Sequence, residues 1–313
     1  MFLKKRSLLI LLALTMVVAM LAACTPRDTT VDDDPADPTP PVVIEPPDDW
    51  DGVTIGYITP DFLEDIAERY SVSDHTVGWI DVPGTNINAV VVRNPDCNDN
   101  LYYLRRNFYR ESYFDGVYYI DVRALLGPTR EYLGVNTTIY GHAMADDPED
   151  PAFDRKFGNL HLFRDPFFLL EHPYIFFSLP EENLAFEIFA VFYGNVDNPE
   201  FFYNDNPGGR LSSREDASEF IDMINNEVLP RSLFHFEGIE LNENDRFLTL
   251  STCIYNPSCG TELLHHTQTM YRFAIMARLV DPDEPRKMYA DFVANEDRIS
   301  DPDGRWAQVN PNR

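Results

Sequence analysis

Residues 247–253 of the 313-residue chain read FLTLSTC, and the rest of the sequence can be organised around them. The stretch alternates between apolar and polar residues, which is the pattern of a β-strand with one buried face. The alternation ends at Cys253, so the sequence predicts a thiol at the C-terminal end of a strand, on the rim of a sheet. A thiolate is a strong nucleophile that avoids the activation problem of a serine, which makes Cys253 a candidate for covalent catalysis.

Two further segments carry side chains that suit acyl transfer. Thr138–Met144 reads TIYGHAM, which predicts a strand followed by a sharp turn at Gly141, with His142 at the strand's edge. Tyr271–Val280 predicts another strand, and Arg272 stands at its start. A histidine can protonate a departing amine and later deprotonate an incoming one, and an arginine offers several donors to a developing oxyanion.

Eight segments have the composition of strands, and turn residues separate them. Few helices and no alternation of strand and helix accompany them, so we predict a mainly β fold, a mostly antiparallel barrel with helical insertions. The segments are Val77–Val82, Ala89–Arg93, Gly116–Val122, Thr137–Tyr140, Ile175–Leu179, Ala185–Tyr193, Phe247–Ser251 and Tyr271–Val280.

Two helices are predicted beside the strands. Thr-Pro-Asp at 59–61 is a helix start signal, and apolar residues follow at helical spacing up to residue 70. A second helix should run from about Ser213 to Pro230, with one apolar stripe. Helical or mixed structure is predicted for Leu101–Phe108 and Phe157–Glu171, the latter with a helix start at Asp165.

The N-terminal segment predicts export and a lipid anchor. Residues 4–6 are basic, and the apolar run from Leu8 to Ala23 would span only about 24 Å as a helix, less than a ~30 Å hydrocarbon core. A cleaved signal peptide over residues 1–23 is therefore favoured. The small residues before Cys24 resemble a bacterial lipobox, which predicts lipidation of Cys24, with an uncleaved anchor as the alternative. Either places the rest of the chain outside the membrane.

Composition divides the remaining chain into three parts. Residues 24–50 are rich in proline and aspartate and should form an extended, disordered tether. Residues 51–288 contain most of the aromatic side chains and should form the folded domain, and residues 289–313 should form a polar tail. The chain has 52 acidic and 25 basic residues, a net charge of −27, which argues against a nucleic-acid partner.

These segments resemble the sortases, a family of cysteine transpeptidases. TLSTC at 249–253 matches the family's cysteine strand, YGH at 140–142 its histidine turn, and Arg272 the arginine that opens the next apolar strand. The two predicted helices fit class B in particular, and the resemblance covers roughly residues 55–285. Further matches are GWIDVPGT at 78–85, GVYYID at 116–121 and FGNL at 157–160.

The resemblance implies a fold, a reaction and partners. The fold would be a closed eight-stranded β-barrel with an N-terminal helix and a helical insertion before the cysteine strand. Cys253 would attack a threonine carbonyl in a C-terminal sorting motif of a secreted protein, and a peptidoglycan amine would resolve the thioester. His142 would be the acid/base and Arg272 the oxyanion ligand, while Thr252 and Ser251 would line the substrate groove. No metal or organic cofactor is needed.

Several alternatives stay open at the level of sequence. A pilin polymerase would use a pilin lysine as acceptor, and an inactive lipoprotein would only bind peptides. Arg272 lies 19 positions after Cys253, so Arg278 is a rival ligand, although it lies about 20 Å further along the strand.

The remaining cysteines and histidines have interpretations of their own. Cys259 could form a metal site with His265 and His266, pair with Cys97, or block Cys253 reversibly. The other four histidines are interpreted as surface or packed side chains. They are His75, His161, His172 and His235.

Overall fold

The computed structural model describes residues 42–43, 57–96, 99–144, 155–195, 215–236, 240–253, 271–281 and 292–294. The predictions for the signal peptide and for lipidation at Cys24 lie outside these residues. So do those for Cys97, Cys259 and the pair His265 and His266. No helix within the described ranges is long and apolar enough to cross a membrane.

Eight strands close into a barrel, which confirms the predicted fold class. Each of the eight strand-like segments of the sequence forms one of them, with ends that differ from the prediction by up to two residues. Their bounds are Thr76–Asp81 (β2), Asn88–Val92 (β3), Tyr118–Ile120 (β4), Asn136–Tyr140 (β5), Tyr174–Ser178 (β8), Ala185–Asn195 (β9), Phe247–Cys253 (β11) and Tyr271–Val280 (β12). Around the barrel the order is β11-β12-β9-β8-β2-β3-β4-β5.

Six of the eight neighbouring pairs are antiparallel, and β3–β4 and β5–β11 are parallel. Apolar side chains fill the interior, among them the fully buried Phe177, Phe186 and Phe273. Because β5 and β11 run in the same direction, their C-terminal ends lie at the same rim. This parallel pair positions the candidate site.

The two main predicted helices are present, and the first begins later than expected, whereas Leu101–Phe108 forms turns rather than a helix. It spans Leu63–Val72 (α1), because Asp61 accepts a hydrogen bond from the Leu63 N–H (3.1 Å) and the Thr-Pro-Asp signal therefore lies before the helix. Ile66 buries its side chain, and Phe62 stacks on Trp79 of β2.

Two short helical segments follow the histidine region. A 3-10 stretch covers Phe157–Arg164, and an α-helix covers Pro166–Glu171 (α2). Asp165 caps this helix through the Phe167 N–H, as predicted. Another 3-10 turn covers Arg130–Tyr132.

The helical insertion before β11 consists of three consecutive helical segments of different types. An α-helix covers Glu215–Met223 (α3), a π turn covers Ile224–Val228 and a 3-10 turn covers Leu229–Arg231. Phe220 of α3 packs its ring on Phe247 of β11, so the insertion covers the outside of the cysteine strand. Ser213, the predicted cap, lies outside the described residues.

Two small sheets complete the described structure. Val42–Val43 (β1), Phe292–Ala294 (β13) and Phe234–Phe236 (β10) form one, and Ala143–Met144 (β6) pairs with Arg155–Lys156 (β7) in the other. β1 falls in the segment predicted as a tether and β13 in the predicted tail, so these short stretches differ from the expectation. Both are short runs of β-forming residues within polar sequence, and each pairs with a neighbouring strand.

Candidate active site

The rim of the barrel brings together the three segments that the sequence marked for chemistry. In the parallel pair, Ser251 of β11 lies opposite Tyr140 of β5. In the antiparallel pair, Cys253 of β11 lies directly opposite Arg272 of β12. Directly opposed residues of an antiparallel pair have Cα atoms about 4.5–5.5 Å apart. The backbones of the cysteine and arginine positions are therefore adjacent, and the histidine turn follows the end of the neighbouring strand.

His142 lies two residues beyond the last residue of β5 and is held by a backbone group. Its Nε2 lies 2.7 Å from the carbonyl oxygen of Leu104. Because a carbonyl can only accept a hydrogen bond, Nε2 carries the hydrogen, and Nδ1 is the unprotonated nitrogen of the neutral ring. This contact fixes the tautomer and leaves Nδ1 for proton transfer.

The surroundings keep the imidazole neutral near pH 7. Partial burial lowers the pKa of His142, the hydrogen bond to Leu104 opposes that shift, and the nearby charge of Arg105 adds to it. Asp115 acts in the opposite direction and Lys156 in the same direction as Arg105, and the net result is a pKa below the ordinary value of 6.5. A proton therefore binds to His142 only weakly before a substrate arrives.

The histidine turn is joined to the cysteine strand by side-chain and backbone hydrogen bonds. The Thr252 hydroxyl donates to the Gly141 carbonyl (2.7 Å), and the Gly141 N–H donates to the Ser251 carbonyl (3.4 Å). On the other side, the Phe157 N–H donates to the His142 carbonyl (2.9 Å). The position of His142 is thus coupled to that of the residue before the thiol.

Gly141 serves close packing rather than a left-handed turn. A Cβ atom at this position would lie 2.8 Å from the ring of Phe157 and 3.0 Å from that of Tyr118. The glycines with positive φ among the described residues are Gly84 and Gly116. We predicted that Gly141 permits a sharp turn, and the structure supplies a different reason for a glycine there.

Ser251 and Thr252, predicted to line the substrate groove, are both buried. They are 1% and 2% exposed, and the Thr252 hydroxyl is already used in the bond to Gly141. The Ser251 hydroxyl has no hydrogen-bond partner within the part of the chain that the structure describes. Contact between a peptide and either side chain would require it to become exposed.

Arg272 and its rival Arg278 occupy opposite ends of β12. Arg278 lies opposite Phe247, at the start of β11, and its guanidinium contacts the Asp245 carboxylate (3.6 Å) and the Glu240 carbonyl (2.9 Å). Arg272 is half-buried at the rim, opposite Cys253. Register therefore favours Arg272 over Arg278 as the arginine of the site.

Two of the other histidines are packed, as interpreted from the sequence. His161 packs edge-on against Phe273, and burial together with the charge of Arg164 lowers its pKa to about 3. His75 bonds to the Tyr103 hydroxyl. Among the described residues, no group of three or more histidine, cysteine or acidic side chains could hold a metal ion.

Sequence reasoning missed Leu104, because a backbone carbonyl leaves no signature in the identity of its residue. It also gave no role to Asp121, which accepts hydrogen bonds from the Tyr140 hydroxyl (2.9 Å) and from the Asn100 amide (2.7 Å). The GVYYID segment, which ends at Asp121, was the one available signal.

The chain is similar to two curated proteins of one family. Sortase B of Listeria monocytogenes is 27% identical over 190 residues, which are 61% of this chain and 67% of that protein. Sortase B of Staphylococcus aureus is 25% identical over 182 residues, 58% of this chain and 64% of that protein. The matches therefore span about two thirds of each relative's length. No protein-family model matches the sequence.

Comparison with solved structures points to the same family. A mutant form of Clostridium perfringens sortase B superimposes with a TM-score of 0.54 at 27% identity, over 70% of this chain and 87% of that one. A complex of Staphylococcus aureus sortase B with substrate has a TM-score of 0.53 at 21% identity, over 70% and 85% of the two chains. At 21% identity, the match to the Staphylococcus aureus structure shows a shared fold alone.

Proposed function

The chain is a class B sortase, a cysteine transpeptidase, and we propose that Cys253, His142 and Arg272 are its nucleophile, acid/base and oxyanion ligand. The observation that carries the assignment is the register of three adjacent strands. It sets Cys253 against Arg272 and ends β5, two residues before His142, at the same rim. Of the arginines in the described ranges, Arg272 is the one that lies opposite Cys253 in the strand ladder.

The first half of the proposed reaction forms a thioester. The Cys253 thiol passes its proton to His142 as the sulfur attacks the carbonyl carbon of a threonine in the substrate, and the oxygen becomes an oxyanion that Arg272 stabilises. When this intermediate collapses, the carbon–nitrogen bond breaks and the departing nitrogen takes a proton from His142. Because partial burial lowers the pKa of His142, its protonated form is a stronger acid in this step than an ordinary imidazolium.

The second half transfers the acyl group to an amine. The amine nitrogen attacks the thioester carbon, His142 accepts a proton from that nitrogen, and the carbon–sulfur bond breaks to release the thiolate, which takes the proton back from His142. The net result exchanges one amide bond for another, so no oxidant, reductant or cofactor enters the balance. We propose that the donor is a secreted protein with a C-terminal sorting motif and the acceptor an amine of the cell wall.

We also propose that the enzyme works on the outer face of the cell membrane of a Gram-positive bacterium. The support is in the sequence, where a basic segment, a short apolar run and Cys24 follow one another. Mass spectrometry of the N-terminal peptide tests this, with a diacylated Cys24 as the expected product. A native N-terminus at Met1 with no lipid would contradict lipidation and leave an uncleaved anchor.

A peptide-cleavage assay tests the catalytic proposal. The purified protein should cleave quenched fluorescent peptides of the NPxTx or LPxTG kind, and mass spectrometry should detect the acyl–enzyme on Cys253. Cys253→Ala should abolish both signals, whereas Cys97→Ala should retain them. Cleavage by Cys253→Ala at the rate of the unmodified protein would refute the mechanism.

A further inference from the structure

We propose that Asp121 is a positioning residue that holds His142 in the tautomer and place needed for proton transfer. The inference rests on the proposed function, and it adds a residue that does not touch the reacting atoms. Asp121 acts by fixing two chain segments, one that carries the imidazole and one that carries the carbonyl to which the imidazole bonds.

Asp121 is a buried carboxylate at the centre of a hydrogen-bond cluster. It is 1% exposed and follows directly after β4. Its Oδ2 accepts from the Asn100 amide (2.7 Å), the Tyr140 hydroxyl (2.9 Å) and the Arg123 guanidinium (3.0 Å), and its Oδ1 accepts from the Arg123 N–H (2.8 Å). A buried charge is stable only when it is paired and bonded in this way.

The first segment reaches His142 along the chain. Tyr140 is the last residue of β5, two residues before His142, and its hydroxyl is anchored on Asp121. Its backbone lies opposite Ser251 of the cysteine strand and Tyr119 of β4. The side-chain bond thus fixes the end of the strand from which the histidine turn departs.

The second segment reaches His142 through space. The Asn100 side-chain amide donates to Asp121 through its Nδ2, and its Oδ1 accepts from the Val122 N–H (2.8 Å). Asn100 begins a run of turns that continues to Leu104, whose carbonyl bonds to the imidazole. Anchoring Asn100 therefore sets where that carbonyl stands.

Gly116 limits the second segment from the other side. It has φ +60°, and a Cβ there would lie 2.6 Å from the Leu104 carbonyl oxygen. The carbonyl therefore rests against the backbone of Gly116 while Asn100 holds the start of its segment. Both constraints converge on the one atom to which the imidazole Nε2 bonds.

The charge state of Asp121 suits this role. Burial alone would raise its pKa, but the hydrogen bonds and charge of Arg123, with the bond from Tyr140, outweigh burial and hold the pKa below its ordinary value. An ionised carboxylate is an acceptor only, so it can bind all these donors together. An asparagine would offer one acceptor oxygen and would turn its own donors toward one of the two segments.

The test reads the tautomer of His142 directly by ¹⁵N NMR of the full chain. The unmodified protein should show hydrogen on Nε2 and a bare Nδ1. Asp121→Asn should give a mixture of tautomers, because the Leu104 carbonyl is no longer fixed. Glu182→Gln is the matched control, since it removes a paired carboxylate beside Arg130 that lies on neither segment, and it should keep the original signature.

Peptide cleavage supplies the second readout. Asp121→Asn should lower kcat about 10- to 100-fold with KM within about twofold, as expected for a misplaced proton donor. In a His142→Gln background the same change should alter the residual rate by less than about twofold, because its effect passes through the imidazole. If Asp121→Asn does not fold, Tyr140→Phe removes one bond and keeps the ring, and it should shift the tautomer in the same direction.

The outcomes separate the two proposals. An unchanged tautomer in both Asp121→Asn and Tyr140→Phe, or an equal rate loss with and without His142, would overturn the role of Asp121. Absence of any peptide cleavage by the unmodified protein would instead defeat the proposed function, and the NMR result would still decide whether Asp121 positions the ring.

Discussion

The two sides of the candidate site are built in different ways. Cys253 and Arg272 belong to a continuous ladder of seven opposed pairs between β11 and β12, so their relative position is a matter of strand register. His142 stands outside the strands and depends on a few individual bonds, chiefly those to Leu104 and between Thr252 and Gly141. The strand side is therefore robust, while the histidine side is sensitive to single side chains.

The largest effect is expected on the strand side, where the two arginines of β12 can be compared. Arg272→Lys should lower kcat about 100- to 1,000-fold, because a single ammonium cannot reproduce the fork of donors toward the oxyanion. Arg278→Lys at the other end of the strand should leave kcat within about twofold. Steady-state peptide cleavage measures both, and equal losses would contradict the assignment of Arg272.

A smaller loss is expected where the two sides are joined. Thr252→Val keeps the shape of the side chain but leaves the Gly141 carbonyl without its donor, which should cost about 1–3 kcal/mol in the free energy of unfolding. Because that bond also holds the histidine turn, kcat should fall by roughly 10-fold.

Ser251→Ala is the matched control for Thr252→Val. The Ser251 hydroxyl is equally buried and has no partner among the described residues, so both stability and kcat should stay close to those of the unmodified protein. Urea unfolding and peptide cleavage measure the pair. Loss of activity in Ser251→Ala alone would indicate substrate contact, as the sequence first predicted.

The histidine side can also be disturbed at Gly116, whose backbone contacts the Leu104 carbonyl that holds the imidazole. Gly116→Ala places a Cβ against the Leu104 carbonyl in a backbone conformation that alanine disfavours, and kcat should fall several-fold with a stability loss of about 1–2 kcal/mol. Gly84→Ala has the same kind of backbone, with φ +76°, but its Cβ meets His172. It should lose stability alone, and an equal loss of kcat would show that backbone strain acts nonspecifically.

The smallest effect on catalysis is expected at His161, which packs against the strand side, and the predicted change there is in the pH dependence of stability. His161 packs beneath β12 on Phe273, and its pKa of about 3 lies below the 6.5 of an unfolded chain. As pH falls from about 6.5 toward 3, the unfolded chain gains a proton at this residue before the folded one does, so stability should fall. His161→Phe should flatten the dependence, measured as the difference between the two proteins' unfolding free energies at each pH.

The sequence allowed the fold and the strand side of the site to be predicted for the same reason. Strand alternation and the motif around Cys253 are local patterns, and each of the eight predicted strands is present. The start of α1 was placed too early because the Asp61 signal precedes the helix, and β1 and β13 were missed because two or three residues carry little periodicity.

The histidine side was less predictable. His142 itself stood in a recognisable turn, but its partner is a backbone carbonyl, and any residue type could supply one. The reason for Gly141 depends on the rings of Phe157 and Tyr118, which only the folded barrel brings together. Long-range side-chain contacts of this kind leave no pattern in a single sequence.

The pairing of β5 with β11 has a consequence for how the enzyme acquires its activity. The bond between Thr252 and Gly141 joins residues 111 positions apart, across the seam where the last strands of the barrel meet an earlier one. Such distant contacts form late, because a long loop must close before they contribute. Under the proposed mechanism, we therefore expect a partly folded chain to lack the join between the histidine turn and the cysteine strand, and to gain reactivity toward peptides only when its barrel closes.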